Sequence, residues 1–161
     1  MLWRKQGAGM TQTVIEGIEA PPRPSITDAM VLEAAVKVLK SSGCAEDPQD
    51  VVAAYHHGMD GYELAKQLDD QFAWDVDAAL VESLDGVHSA VREVHLAACK
   101  AWADEYKIQP PLANGTSIDR GVIHGICQYT PASYLVKQYG CTQEGRFLIV
   151  KFEDAKARSD Q

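Results

Sequence analysis

The fold turns on residues 46–105, EDPQDVVAAYHHGMDGYELAKQLDDQFAWDVDAALVESLDGVHSAVREVHLAACKAWADE. This stretch holds 14 acidic residues against three basic ones, Lys66, Arg92 and Lys100, a net charge of −11. The rest of the 161-residue chain carries 12 basic and nine acidic residues, a net of +3, which completes the overall −8. The stretch reads as almost unbroken helix. Asp47-Pro48 is a start signal, with proline at the first helical position, and Gly58 is expected to end that segment. Asp60 restarts the helix, and Glu63 is placed to reach back as in a capping box. Tyr62, Ala65, Leu68 and Phe72 then share one face. Asp75 is expected to cap the next piece, which Asp85-Gly86 either interrupts or joins to a longer helix. Val87, Val91, Val94, Ala98 and Ala101 recur with 4-3-4-3 spacing, a seam that packs along a neighbouring helix.

Working outward, Thr27 is a good N-cap and Gly43 a stop, which predicts a first helix over 28–42. Before it, residues 1–26 end in Ala20-Pro-Pro-Arg-Pro24, unsuited to helix interior or central strand. They read as a flexible arm, or one laid over the body in extended form. The N-terminus lacks the apolar core of a signal peptide, and no run reaches bilayer-spanning length. Met10 is an alternative start, and a cytoplasmic protein with no membrane association is expected. Cys44, Cys99, Cys127 and Cys141 form no C-x-x-C pair and read as free thiols.

After Gln109-Pro-Pro111 the period changes. From Asn114-Gly115 apolar residues alternate, predicting strands at 121–129, 134–139 and 146–152, with a polar tail over 153–161. The expected architecture is α+β. An acidic N-terminal bundle of four to five helices (27–108) precedes a small C-terminal antiparallel β-sheet or SH3-like barrel (114–152). The barrel expectation comes from a resemblance. Gly115-Thr, Gly121-Val-Ile-His-Gly-Ile126, Tyr134-Leu-Val136 and Gly145-Arg-Phe-Leu-Ile-Val150 follow in an order similar to small SH3-like barrels of the KOW or Tudor-like type. In those a glycine-rich hairpin precedes a Y-x-V strand. The resemblance implies a barrel that binds RNA, DNA or peptides and performs no chemistry.

No catalytic motif stands out. His56, His57 and Asp60 are a weak candidate for a divalent metal, and with it for a third reading, a metal-dependent enzyme. Adjacent helical histidines point about 100° apart, and a helix-terminal histidine satisfying carbonyls is the simpler reading. His88, His95 and Trp102 recur every seven residues and read as the edge of the packed seam. His124 and Cys127 do not make a catalytic pair in an extended strand, where positions i and i+3 face opposite ways, unless the strand bulges at Gly125. Ser133 lacks a nucleophile elbow, and no cofactor is implied.

The surplus carboxylates Asp69, Asp70, Asp75, Asp77, Glu82 and Asp85 give the leading functional expectation. They form an acidic helical surface that docks on a basic protein partner. An inhibitor or accessory factor of a nucleic-acid-handling system, such as a mobile-element counter-defence protein, fits that description, and homo-oligomers are compatible with it. The alternative is a nucleic-acid-binding barrel that uses Tyr129, Tyr134, Lys137, Arg146 and Lys151. In a net-acidic chain such binding needs a local basic patch.

Overall fold

The computed structural model describes residues 20–159. Within them the chain is α+β, with four helices and a four-stranded antiparallel open sheet near the C-terminus. Expectations for residues 1–19 and 160–161 lie outside the described residues. The chain divides into two compact units. One is Pro24–Ala98; the other takes the described residues 20–23 and 99–159.

In the first unit each helix begins at a polar cap. Helix α1, Asp28–Ser42, starts where the Thr27 hydroxyl accepts from the Met30 N–H, and stops at Gly43 in the left-handed region. Helix α2, Pro48–Ala54, is capped by the Asp47 carboxylate, which accepts from Gln49 N–H. It ends at Ala54, ahead of the expected stop at Gly58, because Tyr55 is already extended. Helix α3, Gly61–Phe72, carries the full capping box between Asp60 and Glu63. It closes through Ala73 at φ 56°, an unusual left-handed position for a residue with a Cβ.

Helix α4, Ala78–Glu105, absorbs Asp85-Gly86 without a break. Its cap differs from expectation. Asp77, not Asp75, accepts the Leu80 N–H at 2.8 Å, because it is Asp77 that precedes the first helical residue. The expected seam also drifts. Val87 and Val91 are buried, Val94 and Ala98 are half-buried, and Ala101 is exposed. A straight helix slips about 20° per heptad against a 3.5 repeat, so a 4-3-4-3 pattern leaves the buried face within two heptads. Val51, Leu64, Leu68, Leu84, Val87 and Val91 form the centre of this unit's core. Trp74 is buried with them and donates its indole N–H to Asp50 at 2.9 Å.

The second unit is built on strands β1 (Ser117–Ile118), β2 (Gly121–Ile126), β3 (Ser133–Gln138) and β4 (Leu148–Lys151), paired in that order. The two-residue β1 carries no alternation and was not expected. The register slips between Ile123 and Gly125, a bulge that ends simple alternation along β2. Gly121 is required where it is. At φ 154°, an added Cβ would sit 2.1 Å from the Lys137 carbonyl oxygen. The inner face presents Ile118, Ile123, Tyr134, Val136 and Val150, packed with Phe152.

Residues 153–158, expected as a polar tail, return to the sheet. A 3-10 turn at Phe152–Asp154 redirects the chain, Ala157 forms a bridge with Ile118, and Arg158 N–H donates to Ser117 O at 2.9 Å. The edge of β1 supplies unpaired backbone groups that this segment satisfies. No helix among the described residues is long and apolar enough to cross a membrane.

Candidate functional site

The six candidate docking carboxylates are all exposed. Three of them converge at the α3–α4 connection. Asp69 and Asp77 line a depression of about 280 Å³ with Tyr62, Lys66, Val76 and Val81. Asp75 and Asp77 line a second, of about 240 Å³, with Cys44, Leu80 and Ser83. Asp70 lies four residues along α3 from Lys66, and Glu82 is exposed on the second turn of α4. Two of the six also serve the fold: Asp77 caps α4, and Asp85 Oδ1 accepts the Gly61 N–H at 2.7 Å. The Asp85 contact explains Gly61 itself. A Cβ there would meet Asp85 N at 2.4 Å and Val81 O at 2.7 Å.

Two members of the His56, His57 and Asp60 cluster have contacts within the helical unit. Asp60 is engaged in the capping box of α3. His57 lies 5.4 Å from the His88 ring, centroid to centroid, and His88 Nδ1 pairs with Tyr55 Oη at 3.1 Å. Burial raises the Tyr55 phenol above its ordinary value, so it stays protonated and can donate to that nitrogen. Among the described residues no group of three or more His, Cys, Asp or Glu side chains is disposed to hold a metal ion. His95 Nε2 pairs with Pro24 O at 2.8 Å, so the seven-residue recurrence of His88 and His95 serves two separate contacts.

On the β unit the alternative binding residues separate. Tyr129 is 87% exposed. Tyr134 is fully buried and belongs to the core, because it alternates inward with Val136. Its hydroxyl accepts from Leu112 N–H at 2.8 Å and donates to Leu112 O at 3.1 Å, and burial raises its pKa against that backbone bond. Lys137 donates to Gln143 O, Arg146 Nη1 donates to Gln143 Oε1 at 3.0 Å, and Lys151 is exposed. The exposed His124 ring stacks on Phe147 at 4.7 Å, while Cys127 is buried. The bulge therefore does not make them a reactive pair.

The most elaborate polar cluster lies where the sequence reading put only an arm. Arg23 donates from Nε and Nη2 to the two Glu153 oxygens at 2.6 and 3.0 Å. It also donates from Nη1 to Pro131 O and from Nη2 to Ala132 O, each at 2.7 Å. Its guanidinium sits 5.1 Å from the centroid of the Trp102 ring, and Trp102 Nε1 donates to Pro21 O at 2.9 Å. Desolvation works to lower the Arg23 pKa, but the hydrogen bond and charge of Glu153, with a smaller contribution from Cys99, together outweigh it and the value is raised. Desolvation pushes Glu153 up, but the Arg23 hydrogen bond, its own backbone N–H and the charges of Arg23 and Lys151 together outweigh it, so its carboxyl is held below the usual range. An arginine between two prolines was the only available signal; nothing in sequence pairs it with residues 79 to 130 positions away. Comparison with protein-family models, curated proteins and solved structures finds no match.

Proposed function

We propose that this chain is a non-enzymatic interaction protein whose acidic helical surface docks on a basic partner protein. One observation carries the reading. Residues 24–98 hold 14 carboxylates and four basic side chains, a net of −10, while the rest of the chain has +2. Among the described residues, Glu93 is the one of those 14 that forms an ion pair with a lysine or arginine, the exposed Lys37 at 3.0 Å. Unneutralised like charge costs stability, and solubility requires less of it than this. Docking on a cationic surface would recover that cost. An inhibitor or accessory factor of a nucleic-acid-handling system is the partner context that such a surface suits.

The test reverses the carboxylates with no capping role: Asp69→Lys, Asp70→Lys, Asp75→Lys and Glu82→Lys together. Partners are first captured from lysate with the unaltered protein and identified by mass spectrometry. A basic partner held by the acidic surface should lose at least tenfold in affinity for the reversed variant, and its binding should weaken with salt. Unchanged affinity at low ionic strength would sink the proposal.

A second reading rests on the β unit. The bridge from Ala157 to Ile118 and the 3-10 turn before it support an SH3-like barrel nearly closed on its first strand. The positive charge balance lies outside residues 24–98, and Tyr129, Lys137, Arg146 and Lys151 are the groups available to stack on bases and meet phosphates. A gel-shift titration with short RNA and DNA separates the readings. Binding that needs Arg146 and falls steeply with salt favours the barrel.

A further inference from the structure

Residues 20–23 belong to no helix or strand, yet they are held in the manner of a bound ligand. Their contacts come from three places: Trp102 on α4, the Pro131–Ala132 corner between β2 and β3, and Glu153 on the 3-10 turn. Ala20 is buried, Pro22 is exposed, and Arg23 turns inward, the alternation of an extended proline-rich segment lying in a groove. The groove supplies what such a segment needs. An indole N–H meets a proline carbonyl, an aromatic face lies against a guanidinium, and a carboxylate takes the arginine fork bidentately.

The Pro131–Ala132 corner adds a second observation. Ala132 has φ 49°, a left-handed conformation that costs a Cβ-bearing residue energy. Its carbonyl accepts from both Phe152 N–H and Arg23 Nη2. The strained corner thus aims two adjacent carbonyls at the guanidinium.

The geometry points to a peptide-binding site on the C-terminal unit, specific for the arginine of a Pro-Pro-Arg segment, which the chain's own residues 20–23 occupy in cis. A partner presenting a Pro-Pro-Arg segment competes with this internal ligand. The internal copy is held in the same chain, so it competes without a loss of translational freedom and suppresses weak competitors.

The test uses the full chain and the synthetic hexapeptide Ala-Pro-Pro-Arg-Pro-Ser. Arg23→Ala weakens the internal ligand. Calorimetry should show saturable peptide binding to this variant, at least tenfold tighter than to the unaltered chain. The Trp102 indole N–H resonance, assigned through Trp102→Phe, should shift on binding. Replacing the peptide arginine by lysine, or adding Glu153→Gln to the variant, should weaken binding at least tenfold. Should Arg23→Ala fail to fold, the peptide in excess is expected to restore its folded spectrum, and Arg23→Lys gives a milder variant for the same titration. Absence of binding to a folded Arg23→Ala chain, failure to restore an unfolded one, or equal binding of the lysine peptide would overturn the assignment.

Discussion

Arg23 and Glu153 are the residues whose chemistry most constrains the C-terminal unit. Their side chains are 8% and 14% exposed, so removing one leaves the other charged and poorly solvated. Arg23→Ala should cost about 3–5 kcal/mol in urea unfolding monitored on the β unit. The pair also fixes a pH dependence. Glu153 has a folded pKa below its unfolded one, so its contribution is fully present above the unfolded carboxylate value of about 4.3. That contribution is lost as pH falls through the lower folded value. Acid titration of stability should therefore show a loss below about pH 4.3 that Glu153→Gln removes. Gly61 sets a second constraint. Gly61→Ala drives a methyl into the α4 backbone near Asp85, and should destabilise the helical unit by about 1–3 kcal/mol in thermal melts.

Among the elements, helices were legible where their ends are written in side chains. Thr27, Asp47 and the Asp60–Glu63 box are local signals, and each forms the cap that its spacing indicated. The α4 cap differs from expectation because Asp75 and Asp77 are equally good N-caps two residues apart, and no local signal distinguishes them. Strand β1 and the bridge to Ala157 were illegible for a different reason. Two residues cannot display a period, and their stability comes from partners far along the chain. Arg23 shows the same limit, since a proline-flanked arginine looks like linker until its acceptors are in place. The end of α3 offers a test at this scale. Ala73 holds a left-handed conformation that glycine adopts freely, so Ala73→Gly should raise the melting temperature, with a gain of about 0.5–1 kcal/mol.

At the scale of the whole molecule, charge sets the balance between folding and recognition. Raising ionic strength from about 0.01 M to 0.15 M shortens the screening length from about 30 Å to about 8 Å. Relief of repulsion within residues 24–98 should then stabilise the protein by on the order of 1 kcal/mol, about 2–4 °C for a chain of this size. The fourfold lysine variant changes this unit from −10 to −2, since each reversal adds two charges. It is expected to melt no lower than the unaltered protein while losing its partner. Stability retained with binding lost separates recognition from a simple solubility role.

The helical unit is an insertion: Arg23 precedes it and Cys99 follows, while both flanks build the same C-terminal unit. Synthesis on the ribosome therefore imposes an order. Residues 24–98 emerge with every one of their own core partners and can collapse early. The groove for Arg23 is complete only after Glu153 has been made, so the proline segment waits through 129 intervening residues for its acceptor. Truncated nascent chains ending before the 3-10 turn should hold a protected helical unit and a protease-sensitive remainder, with residues 152–158 acting as the closing clasp.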